Sequence, residues 1–142
     1  MTDTEVAYLA GLFDGEGSIG FYKKRNTYET SATIANTDFR VLLWIQNRLP
    51  YGYVRRKAWG GRRLSWEFCV KSRHRVKEFL ALIRPYLIIK AEQADLLLSL
   101  LDAEQEIPRG RGVKLSEQVI AKRLEVELEL KRLKTAETYS IH

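Results

Sequence analysis

Apolar residues at Val6, Leu9, Leu12 and Phe13 repeat at the three- and four-residue steps of a helix, and the pattern stops at Gly15. Thr2 followed by Glu5 forms a capping box ahead of them, so a first helix is expected over about Asp3–Asp14. From Ser18 the period falls to two. Ile19 and Phe21 alternate with Ser18, Gly20, Tyr22 and Lys24, and after KRNTYE the run TSATIAN has β-branched strand character, which predicts a hairpin. Thr37 or Asp38 then caps a second helix, FRVLLWIQNRL, that stops at Pro50, and GYVRRKAW and RRLSWEFCVK form a second hairpin around Gly60-Gly61. In the latter strand Leu64, Trp66, Phe68 and Val70 share one face, opposite Arg63, Ser65, Glu67, Cys69 and Lys71. One side is therefore expected against a core and the other open to solvent or a ligand. Further helices are predicted at about Ser72–Ile83, Ala91–Ile107 and Val113–Glu137, with IPRGRG as the break before the last. This order specifies an α+β layer with one uncovered sheet face.

The chain of 142 residues, 45% of them apolar, is the size of one domain, with a core over about 3–107 and a C-terminal helix over about 113–137. Lys and Arg number 24 against 18 acids, and the net charge of +6 suits a polyanionic partner without identifying it. One cysteine, Cys69, excludes an internal disulfide framework, and His74 and His142 are too few for a structural zinc site. The N-terminus lacks a signal peptide's basic region and its apolar run is broken by Asp14, so a soluble intracellular protein with no membrane partner is expected.

Chemistry concentrates at LAGLFDGEG, residues 9–17. Its continuation GEGSIG satisfies G-x-G-x-x-G, but a helix precedes it and a strand follows, the reverse of a dinucleotide-binding turn. An EF-hand starting at Asp14 fails as well, because its sixth position is Ile19 and its twelfth Arg25. What remains is Gly11 and Gly15 four residues apart, with Ala7 a turn earlier, a spacing that lets two helix backbones approach closely. The neighbour is either this protein's own core or the same helix of a second copy. In the second case carboxylates from both chains meet at one point, where a divalent cation would neutralise them.

LAGLFDGEG resembles the motif of the LAGLIDADG homing endonucleases. Leu9, Ala10, Gly11, Leu12, Asp14 and Gly17 stand as in that motif, and Gly15 and Glu16 are substitutions common within the family. ANTDFRVLLWIQNRL, GYVRRK and PYLIIKAEQADLLL extend the resemblance over Tyr8–Leu98. It implies an αββαββα core with a saddle-shaped antiparallel sheet lying in the DNA major groove, plus additional C-terminal helices. The motif helices would pair in a homodimer through Ala7, Tyr8, Gly11, Leu12, Asp14 and Gly15. The metal-binding acid of the family falls on Glu16, with the Gly15 carbonyl as second ligand, and Asp14 reads as structural, capping or bracing the opposite helix. The solvent-positioning polar residue falls on Asp38, with Asn36 the near alternative, and the active-site lysine on Lys90. The family's arginine has no counterpart at Leu42, although Arg40 is close. Taken without the resemblance, Asp38 is a good N-cap and Lys90 a surface charge at a helix start.

The implied cofactor is Mg²⁺, with Mn²⁺ able to substitute and Ca²⁺ supporting binding without efficient cleavage. The implied partner is double-stranded DNA, read by the sheet face in register with Glu16. Counting by twos places Tyr22, Lys24, Asn26, Glu29, Ser31, Thr33, Arg55, Lys57, Trp59, Arg63, Ser65 and Glu67 on it. LLSLLDAEQ echoes the motif but lacks its glycines and a following strand, so one motif per chain is expected. The alternative is a non-cleaving RNA maturase, with intron RNA as partner, or a DNA-binding regulator on the same fold.

Overall fold

Thr2 opens the first helix as its sequence requires: its hydroxyl accepts the Glu5 N–H at 3.1 Å, and the Glu5 carboxylate accepts the Thr2 N–H at 3.0 Å. Helix α1 covers Asp3–Glu16 in a computed structural model that describes residues 1–57, 64–108, 110 and 112–139. It runs two residues beyond the expected end, placing Gly15 and Glu16 in its last turn. Gly17 turns the chain directly into strand β1, Gly17–Lys24, and donates its N–H to the Phe13 carbonyl. Only glycine fits there, because a Cβ would lie 2.4 Å from the Phe13 ring.

A two-residue turn, with Arg25 at φ 58°, joins β1 to β2, Thr27–Asn36. Helix α2 is Phe39–Arg48, strand β3 Tyr53–Arg56 and strand β4 Trp66–Lys71, followed by α3, Arg73–Ile83, α4, Ala91–Ala103, and α5, Glu117–Tyr139. The strands form one antiparallel sheet in the order β1-β2-β4-β3. The helix and strand order matches the expectation. The second hairpin's strands are shorter than GYVRRKAW and RRLSWEFCVK imply, and its turn with Trp59 and Arg63 lies outside the described residues.

The helices cover one side of the sheet. Leu9 and Phe13 of α1, Ile19, Ile34, Phe68 and Val70 of the strands, Ile45 of α2, Phe79 and Ile83 of α3 and Leu97 of α4 are fully buried there, each contributing about 1.5–3 kcal/mol. Phe13 meets Phe79 edge-on at 5.5 Å, tying α1 to α3.

Helix α4 stops at Ala103, short of the expected Ile107, and the chain turns so that Glu104 faces inward. Its carboxylate accepts Arg73 at 2.6 Å and Arg123 at 2.8 and 3.1 Å. Burial pushes the Glu104 carboxyl up, but the guanidinium groups of Arg123 and Arg73 outweigh it and hold it below its usual value. Tyr28 Oη to Glu127 at 2.9 Å and Lys134 Nζ to the Ile19 carbonyl at 2.5 Å fasten α5 further. The basic residues of α5 are thus largely engaged within the chain: Arg132 pairs with Glu129 and Lys122 with Glu125.

Candidate nucleic-acid interface and helix-end site

The end of α1 is held by its first acid. Asp14 is buried, and its carboxylate accepts the Ile88 N–H at 2.7 Å and the Lys90 N–H at 3.0 Å. Lys90 returns the contact, its ammonium donating to the Asp14 carbonyl at 2.7 Å. The last carbonyls of a helix lack partners within it and carry partial negative charge, so a lysine there is favoured on both counts. Asp14 braces a segment of its own chain, 88–90, where the sequence pointed to the opposite helix. Its burial limits the share it can take in a subunit contact. Lys90 occupies the N-cap position of α4 but makes no side-chain cap.

Glu16 and Gly15 are exposed at this same helix end. Among the described residues no three His, Cys, Asp or Glu side chains gather to hold a metal ion. One chain therefore offers one free carboxylate and the adjoining Gly15 carbonyl, hard oxygen donors of the kind Mg²⁺ and Ca²⁺ take.

The face of α1 leading to this point is open. A Cβ built on Gly11 or Gly15 meets no atom within 4 Å, which removes the own-core explanation for the glycine spacing. Ala7 and Leu12 are half-buried, and Tyr8 is 55% exposed with its ring edge-on to Trp44 at 5.3 Å. Ile88, 84% exposed, and Ile89, 53% exposed, project beside the Asp14 anchor. The result is an apolar surface floored by glycine, of a kind that monomers seldom leave bare.

Asp38 caps α2 by accepting the Arg40 N–H at 2.9 Å, and both its oxygens also take the Arg40 guanidinium at 3.1 and 2.8 Å. That hydrogen-bonded pair holds the Asp38 carboxyl below its usual value. Its lone pairs are largely occupied, whereas Asn36, the alternative, engages its Oδ1 with the Asp38 N–H at 2.8 Å and keeps its amide hydrogens available.

Directly opposed residues share a sheet face. The pairs Ser18–Thr33, Gly20–Ser31 and Tyr22–Glu29 lie on the side away from the helices, continued by Thr33–Cys69, Ser31–Lys71 and Arg55–Glu67. Tyr22, Lys24, Glu29, Ser31, Thr33, Arg55 and Glu67 thus share one surface as expected. Lys57 and Ser65 continue it through a backbone bond of 2.9 Å. Asn26 departs from it: the turn breaks the alternation, and Asn26 lines a groove with Ile120 and Leu124 of α5. The surface is also less open than alternation suggests. Ser31, Glu67 and Cys69 are buried, since small or inner side chains of the central strands lie beneath taller neighbours.

Those neighbours are already paired. Tyr22 Oη donates to Glu29 at 2.5 Å, Lys24 reaches Glu29 at 3.2 Å, and Arg55 Nε donates to Glu67 at 2.7 Å. The bond to Glu29 raises the Tyr22 phenol, and the same contact, followed by Lys24, lowers the Glu29 carboxyl. Tyr22, Lys24, Glu29, Arg55, Lys71 and Arg73 border a depression of about 600 Å³. Lys71 and Tyr53 were missing from the counted set, although alternation from Glu67 and Arg55 marks both.

This is the fold of the LAGLIDADG homing endonucleases. The homing endonuclease I-CvuI, crystallised on its target in the presence of Ca, superposes with a TM-score of 0.74 at 24% identity over 92% of this chain and 82% of that one. The homing endonuclease I-TnaI matches over 99% of this chain and 100% of its own, with a TM-score of 0.69 and 20% identity. The LAGLIDADG meganuclease I-AabMI, bound to uncleaved DNA, gives 0.69 at 17% identity over 86% of this chain and 43% of that one. No protein-family model and no curated protein sequence matches the chain.

Proposed function

We propose that the chain is a homodimeric, site-specific, metal-dependent DNA endonuclease of the LAGLIDADG type. The observation that carries this reading is the bare face of α1: a Cβ added at Gly11 or Gly15 would meet nothing within 4 Å, and the face ends at the exposed carboxylate of Glu16. A second α1 packed there brings two Glu16 side chains and two Gly15 carbonyls to one place, completing a donor set that one chain cannot supply. I-CvuI and I-AabMI are both DNA-bound, and the basic sheet face suits the same ligand.

Hydrolysis forms a bond from a water oxygen to phosphorus as the bond to the leaving oxygen breaks, and negative charge builds on the phosphoryl oxygens. Glu16 and the Gly15 carbonyl would hold a divalent ion, Mg²⁺ being favoured by all-oxygen donors, which would supply Lewis acidity at that charge. Lys90, fixed by its bond to the end of α1, adds positive charge at the same point. Asp38 holds Arg40 at the start of α2, which leaves the orientation of water to Asn36. On the sheet, Arg55 and Lys57 read base edges while Glu67 steadies Arg55.

Sites cleaved by the purified protein are selected from a random duplex library, and cleavage is then assayed with Glu16→Gln and with EDTA. Nuclease function requires that Glu16→Gln and EDTA each abolish cutting while the variant still binds DNA. Cutting that persists in either case removes the metal mechanism, and binding without any cutting by the wild type moves the protein to the regulator or maturase class.

A further inference from the structure

Helix α5 is apolar on two opposite sides; the rest of the chain buries one and only borders the other, at the groove that Ile120 and Leu124 share with Asn26 and Val113. Val126, Leu130 and Leu133 are buried, while Ile120, Leu124 and Leu128 are 50–55% exposed. A helix that packs on one neighbour needs one apolar stripe. The second stripe has a particular order: Glu117, Ile120, Leu124, Leu128 and Lys131 follow one another at steps of three, four, four and three residues. Those steps keep all five on one side of the helix. The sequence of spacings reads the same in both directions about Leu124, and its ends carry opposite charges.

From this symmetry we infer that α5 is a second self-association surface, pairing antiparallel with α5 of another copy about a two-fold axis at Leu124. In that register Leu124 meets its own counterpart, Ile120 meets Leu128, and Glu117 at each end faces Lys131 of the other helix. A two-fold contact must be self-complementary, and both the apolar spacing and the terminal charges meet that condition. Glu117 makes no ion pair among the described residues, and Lys131 has only a 3.9 Å contact with Glu127, so both are free to pair across the contact. The flanking acid Glu117 and the narrow apolar stripe suit neither a DNA backbone nor a lipid surface. Combined with the motif-helix dimer proposed above, a second self-complementary contact joins dimers to one another, closing at four copies where the two two-fold axes meet at right angles. The α5 pairing itself does not depend on that reading.

Sedimentation of the full chain without DNA, across the micromolar range, tests the pairing. Leu124→Lys is expected to halve the assembly mass at unchanged melting temperature. Glu117→Lys is expected to weaken association, and Glu117→Lys with Lys131→Glu to restore it. A wild-type mass that neither Leu124→Lys nor Glu117→Lys changes overturns the proposal, as does a double variant that fails to recover the wild-type mass. Failure of the nuclease reading would show in the Glu16→Gln assay and leave these masses untouched.

Discussion

Lys90 donates to Asp14 twice: its backbone N–H to the Asp14 carboxylate, and its side-chain ammonium to the Asp14 backbone carbonyl. The buried acid in the last turn of α1 therefore aims the lysine next to it. Asp14→Ala leaves the part-buried Ile88 and Lys90 N–H groups without their charged acceptor, at a cost of about 1–3 kcal/mol for each. Lys90→Met removes one hydrogen bond and is expected to cost about 0.5–1.5 kcal/mol. Chemical denaturation compares the two, and cleavage should fall in both, because Asp14→Ala frees Lys90 from its position.

Gly11→Leu separates folding from assembly. A Cβ at this position meets no atom within 4 Å, and removing a mid-helix glycine favours the helix by up to about 1 kcal/mol. Far-UV circular dichroism should remain native while the motif-helix dimer and cleavage are lost. Collapse of the fold would show that the face is covered from within.

Acid sensitivity should arise partly at the start of α1. The Thr2 N–H and then the Arg48 guanidinium hold the Glu5 carboxyl at about 2, against an ordinary 4.5. An acid depressed on folding stabilises the native state above its unfolded pKa and loses that contribution as pH falls through the folded one. The difference in melting temperature between wild type and Glu5→Gln should be full above pH 4.5 and shrink steadily toward pH 2.

Arg55→Ala is expected to relax base preference at one symmetric pair of target positions by about 1–3 kcal/mol. Glu67→Gln should relax the same positions more weakly, since it loosens Arg55 without removing it. Competition binding against a panel of single-base variants reads both. Equal weakening on every sequence would make Arg55 a phosphate contact.

Much of the architecture could be read in advance because its signals are local. Thr2 and Glu5 announce the first helix, and Ile19 and Phe21 announce a strand with one buried face. Asn26 misled because a two-residue turn resets the alternation, and a count by twos cannot see where a strand ends. Glu67 and Ser31 were assigned to the correct face but not to the correct depth, which depends on the height of neighbours across the sheet. The motif brings Glu16 and Lys90 forward as candidates, and the structure sets both side chains at the end of α1. The partnership of Asp14 with residues 88–90 spans some seventy positions of chain, and no periodicity reports it.

Strict alternation along β1 and β2 has an evolutionary consequence. Residues that hold the fold and residues of the open face occupy different positions of the same strands, so a DNA-reading face of the kind proposed can drift by substitution without eroding the core. One place resists: a Cβ at Gly20 would lie 2.4 Å from the Ser31 hydroxyl. A larger side chain at Gly20 requires the Ser31 hydroxyl to swing aside or Ser31 to become smaller, so the two positions change together.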